Sequence, residues 1–186
     1  MINQTLKMYI FLIILNLILS LSAWIYDWPT LITIPIYLWP VVAICPIYPL
    51  LLAFVWYQKQ RNQKPHPAIT AWVLIGASTY ASTAVFFYPA LMRYEGFSWL
   101  GIGAIAWVLL YGSQALYLLR RVQLPTAWIT ITIAVLSVKT LMDVHYHTFG
   151  YLITPADNLP RGFINAIASV VIAAGLLVSL YALRKS

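Results

Sequence analysis

The chain has 186 residues, 62% of them hydrophobic and only 8% charged, with a mean hydropathy of +0.84. A soluble domain needs about a quarter of its residues charged to cover its surface, which excludes a water-filled surround for most of this one. The net charge of +7 comes in short basic clusters between apolar runs. That pattern orients membrane proteins and gives no reason to expect nucleic acid as a partner.

A helix needs about 20 mainly apolar residues to cross a bilayer core. The first such run is Met8–Tyr26. No small-residue cleavage pattern follows it, because Ser22-Ala23-Trp24 leads into bulky Ile25 and Tyr26. It is read as a retained anchor. The next run, Thr30 to Tyr57, is interrupted by Pro35, Pro40, Pro46 and Pro49. Proline removes a backbone donor and clashes with the preceding turn. Leu31–Ile44 is therefore read as a Pro-rich irregular outer segment, and Pro46–Tyr57 as the core of a short second span. Four further runs follow at Ala68–Pro89, Trp99–Leu119, Ala127–Phe149 and Phe163–Leu183. The expected fold is all-α: one domain, residues 1–186, built as a bundle of six transmembrane helices.

With six spans, Lys7, Lys59, Arg61, Lys64, Arg120, Arg121, Arg184 and Lys185 fall on one side, and Arg93 and Arg161 on the other. The crowded side is cytoplasmic by the positive-inside rule, so both termini are expected inside a plasma-membrane protein. Asp27, Glu95 and Asp157 then lie toward the outside. Trp24, Trp28, Trp56, Trp72, Trp99 and Trp128 stand at span ends and read as an interfacial anchoring belt.

The chemistry-bearing stretch is Ser137-Val-Lys-Thr-Leu-Met-Asp-Val-His-Tyr-His-Thr-Phe-Gly150. Lys139 lies roughly 16 Å along its helix from Trp128, near the midplane. Asp143 and His147 follow at steps of four and share its face, whereas His145 points elsewhere. A charge at that depth costs at least ~2.5–3.5 kcal/mol and demands a partner, for which Asp143 is placed one turn away. One reading is a structural ion pair, and the other a proton relay or ligand site. Asp143, His145 and His147 also form a candidate metal set, but His-x-His suits a frayed helix end and needs a further ligand from elsewhere. Asn16 and Asn165 are placed at mid or outward depth with Asp27, which together suggest a polar crevice open to the outside; the alternative for each asparagine is a hydrogen bond that joins two helices. Ala77, Ser78, Ala81 and Ser82 read as small residues that let helices approach closely.

Tyr37-Leu-Trp-Pro-Val-Val-Ala-Ile-Cys-Pro46 resembles the aromatic-rich outer segment of a family of uncharacterised bacterial and archaeal multi-pass membrane proteins. Ala43 and Ile44 stand where that family has Pro and Asp. Asp143, Phe149 and Gly150 resemble its late Asp and aromatic-Gly, with Tyr146 in place of a second Asp. Some members are encoded beside menaquinol–cytochrome c reductase. The resemblance implies a ligand-binding or accessory subunit of a quinol-linked respiratory complex, with the lipid bilayer and other membrane subunits as partners and a quinone as a cofactor. The alternatives are an intramembrane enzyme using a divalent metal at Asp143, His145 and His147, and a small transporter with Lys139 on the substrate path.

Overall fold

The computed structural model describes residues 4–33, 36, 39, 44–145 and 160–184, without the side chains of Thr30, Ile44, Cys45, Tyr94, Glu95, Leu100, Asp143 and Arg161. Six helices carry the fold: α1 (Gln4–Leu31), α2 (Ile44–Gln60), α3 (Pro67–Glu95), α4 (Trp99–Leu119), α5 (Thr126–His145) and α6 (Arg161–Leu183). Four of them, α1, α3, α4 and α6, are long and apolar enough to cross a membrane. Helix α2 has 17 residues, and the apolar part of α5 is the shorter stretch Thr126–Met142. Most of the expected irregular segment between α1 and α2 lies outside the described residues, as does the expected end of the fifth run after His145.

Pro49 lies near the start of α2, whereas Pro29 sits in the last turn of α1 and Pro89 inside α3. Near a helix start the missing N–H costs little, but Pro29 and Pro89 each remove a bond from the hydrogen-bond ladder. Outside α1 the end signals are ordinary. Ser98 caps α4 by accepting from the Gly101 amide, and Gly96 takes a φ of 90° just after α3.

Helix α3 is the hub, packing against α2, α4, α5 and α6. In its apolar window 67% of the residues are buried, against 22% in α1, 33% in α4 and 28% in α6. A helix packed against four neighbours must present different small residues to each of them. Toward α2 it offers Gly76, where a Cβ would collide with the hydroxyl end of Tyr48. Toward α4 it offers Ala81, in contact range of Gly112, where an added Cβ would fall on the Ala81 methyl and 3.3 Å from the Ala77 carbonyl. Toward α6, Thr79 Cγ2 would be 3.6 Å from a Cβ on Gly175. Ala77, Ser78 and Ala81 are buried, as close helix approach requires.

The outer surfaces of the other helices are apolar. Phe11, Ile14, Ile18, Leu21 and Ile25 run exposed along α1, and Leu177 and Leu180 along α6. An exterior of that kind is consistent with a multi-pass protein embedded in lipid. At the ends that carry the basic loops, Arg61 sits over the Tyr57 ring at 5.5 Å and Arg121 over Tyr117 at 4.3 Å. Long cationic side chains lying on interfacial rings are the usual arrangement at a membrane boundary.

The α3–α4 contact makes a prediction. Gly112→Ala should cost about 1–3 kcal/mol by overpacking against Ala81, read as a lower melting temperature in detergent. Moving the methyl, with Ala81→Gly and Gly112→Ala together, should recover most of that loss. Losses that merely add would mean that the two positions do not meet.

Candidate functional site

The sequence places seven polar candidates, Lys139, Asp143, His145, His147, Asn16, Asn165 and Asp27, in one outward-facing region. Their described positions divide them among separate places. Asn16 is fully buried and sits in a polar node that joins three helices. Its Nδ2 donates to Gln114 Oε1 at 2.7 Å and to the Leu12 carbonyl at 2.7 Å. Trp56 Nε1 donates to the same Gln114 Oε1 at 3.0 Å, while Gln114 Nε2 donates to the Leu110 carbonyl at 3.1 Å. Indole N–H is a donor only. It therefore fixes which atom of Gln114 faces it, and that in turn fixes which end of Asn16 faces Gln114. Gln114 lies in the last third of α4, which ends at Leu119 before Arg120 and Arg121. The node thus meets α4 near the end that leads into Arg120 and Arg121, and Asn16 is separated from Asp27 by roughly 16 Å along α1.

Asn165, one turn into α6, is exposed, and its carbonyl accepts from Ser169 Oγ at 2.9 Å. It points away from the bundle and so takes no part in an internal crevice. His145 is also exposed at the end of α5. His147 and the Asp143 side chain lie outside the described residues, and so does the expected pairing of Lys139 with Asp143. Among the described residues no three of His, Cys, Asp and Glu come together in a metal-binding group.

Lys139 is half-buried, with Nζ over the Tyr80 ring at 5.3 Å from its centroid. A cation over an aromatic face is stabilised by the ring quadrupole, by about 2 kcal/mol or more where water is scarce. Tyr80 in turn packs against Tyr48, ring centroids 5.7 Å apart, and Tyr48 against Tyr111 at 6.5 Å and Trp72 at 6.4 Å. The lysine therefore faces an aromatic cluster at the bundle centre. Between α5 and α6 a shallow, mainly apolar indentation carries Ser137, Thr140 and Ser179. Thr140 Oγ1 donates to the Leu136 carbonyl at 2.8 Å.

Asp27 stands near the C-terminal end of α1 and is 2% exposed. Its Oδ2 is buried with no hydrogen-bond partner among the described residues. Around the same end of α1 are three indoles. Trp39 lies 6.4 Å from Trp24 and 5.8 Å from Trp28, centroid to centroid, and its Nε1 donates to the Leu31 carbonyl at 2.9 Å. About two turns before Asp27, Ser20 Oγ donates to the Pro46 carbonyl at 2.8 Å and ties α1 to the start of α2.

Residue spacing missed several of these partners. Trp56 reads as a belt residue, yet it is 2% exposed and inside the bundle. Gln114 carried a usable signal, being a long amide in an otherwise apolar run. Nothing in the sequence marks Tyr48 and Tyr80 among thirteen tyrosines.

Comparison of the chain with protein-family models, curated proteins and solved structures finds no match to any of the three.

The amide node makes a prediction with a defined order. Gln114→Leu should lower the melting temperature more than Asn16→Leu, because it removes the acceptor of both Asn16 and Trp56. The double substitution should show a coupling of about 0.6–1.7 kcal/mol, the range of an interhelical hydrogen bond in a membrane. Equal single losses with no coupling would contradict the node.

Proposed function

We propose that the chain is a six-span plasma-membrane protein with both termini cytoplasmic, whose outer end holds a ligand and which serves as an accessory subunit of a quinol-linked respiratory complex. The observation that carries the ligand-binding part is Asp27. A buried carboxylate with an unanswered oxygen costs several kcal/mol relative to one in water. Intramembrane ionisable residues are retained chiefly where they serve a function. In this reading the outward crevice narrows from seven polar residues to the corner around Asp27.

The six-span count is supported by the lengths of the two shorter helices. At 1.5 Å per residue, the 17 residues of α2 span roughly 25 Å and the 20 of α5 roughly 30 Å, against a hydrocarbon core of about 30 Å. The orientation is supported by the basic residues in the α2–α3 and α4–α5 connections. The respiratory assignment draws on the resemblance carried by residues 37–46 and by Asp143, Phe149 and Gly150.

Gentle solubilisation of the tagged chain from its native membranes tests the assignment. Quinol-oxidising subunits should co-purify in fixed proportion, and deletion of the chain should lower the membranes' quinol oxidation rate. A chain that purifies alone, with an unchanged rate in its absence, contradicts the accessory role.

A further inference from the structure

On the reading that the outer end of α1 holds a ligand, we propose that this ligand is a small organic cation, a quaternary ammonium or alkylated amine. Asp27 is its counter-charge and Trp24, Trp28 and Trp39 are its aromatic walls.

Three independent features point to positive charge. The first is the carboxylate itself, buried with Oδ2 unpartnered among the described residues. The second is its place in the helix. Asp27 lies one turn before the end of α1 at Leu31, at the end of the helix dipole that carries partial negative charge. An acid at that end is destabilised by the helix, and a cation is stabilised by both. The third is the set of indoles. Trp is the side chain whose face attracts cations most strongly, within about 6 Å of the ring centroid. Trp24, Asp27, Trp28 and Leu31 follow at helical spacing on one side of α1. Trp39 packs on both Trp24 and Trp28, and its N–H holds the Leu31 carbonyl. That bond occupies the polar edge of the ring, whose apolar surface meets Trp24 and Trp28. Trp28 is half-exposed and gives the site an open side.

The same features argue against other ligand classes. An anion is repelled by the carboxylate and by the helix end alike. A hard divalent metal takes six to eight oxygen ligands in the manner of calcium, and no group of three His, Cys, Asp or Glu is assembled among the described residues. A methylated ammonium needs one counter-charge and aromatic faces in place of an oxygen shell.

The test uses the purified full chain in detergent, with choline as probe and, as control, the uncharged isostere that carries a quaternary carbon in place of the nitrogen. Choline should bind saturably by calorimetry, and the isostere at least about 10-fold more weakly. Asp27→Asn should weaken choline binding by about 10-fold or more, and Trp39→Leu by about 3- to 30-fold, the range of a cation–aromatic contact. Trp99→Leu, an exposed indole beside Phe97 at the start of α4, should leave binding unchanged. Asp27→Glu keeps the charge and should retain most of the affinity, which separates lost binding from lost folding. Equal affinity for choline and its isostere, lost together in Trp39→Leu, overturns the cation assignment while leaving a ligand site at α1. Binding of neither probe overturns the cation assignment and removes its support from the ligand reading as well. Choline binding that survives Asp27→Asn also overturns the proposal.

Discussion

Inside a bilayer no water reaches a stray hydroxyl or amide, so each polar group has to be answered by the fold or be stabilised by something bound to it. Most of α3 obeys this locally. Thr79, Ser82 and Thr83 return their hydroxyls to carbonyls one turn back, at 2.8–2.9 Å. These back-bonds make polar residues compatible with a helix buried on every side. They also free α3 from needing polar partners on its neighbours, so its contacts can be made by shape alone. Gly76 receives Tyr48, Ala81 meets Gly112, and Thr79 lies against Gly175. Helices α2, α4 and α6 are positioned by this one surface, while α1 packs on α2.

Where the side chain is too long for a local return, the fold answers it across helices. Asn16, Gln114 and Trp56 are joined in this way, three helices meeting on one shared amide oxygen. Lys139 is answered in part by the face of Tyr80. Asp27 is different in kind, because its carboxylate is buried at a helix end that already carries partial negative charge and its Oδ2 has no partner among the described residues. Asn16 Oδ1, Tyr48 Oη, Gln58 Oε1, Ser78 Oγ, Trp107 Nε1 and Ser179 Oγ are also buried without a partner among the described residues, and Asp27 is the one acid in that set.

Much of the architecture was legible in the sequence because it depends on runs and counts. Apolar runs located the six helices, but α1 continues through Pro29 to Leu31 and α3 through Pro89 to Glu95. The small residues of α3 were also legible, since Ala77, Ser78 and Ala81 have few uses in a membrane helix other than close packing. What spacing does not carry is which helix faces which. It therefore grouped Asn16 and Asn165 with Asp27, although one is tied to Gln114 and the other points outward from α6. An asparagine in an apolar run serves an internal node or a polar crevice equally well by sequence. Trp56 was misread for the same reason: an indole near a span end suits an interface, and only the contact with Gln114 places it inside.

The central claim is that the buried carboxylate of α1 communicates with the outside. Cysteine accessibility at that position measures it directly, using the Asp27→Cys variant with Cys45→Ser in intact cells. A small membrane-impermeant thiol reagent added from outside should modify the variant, and choline should leave that modification unprotected because the counter-charge is gone. Modification only when the reagent reaches the cytoplasmic face, or none from either side in a folded protein, would contradict an outward-opening site.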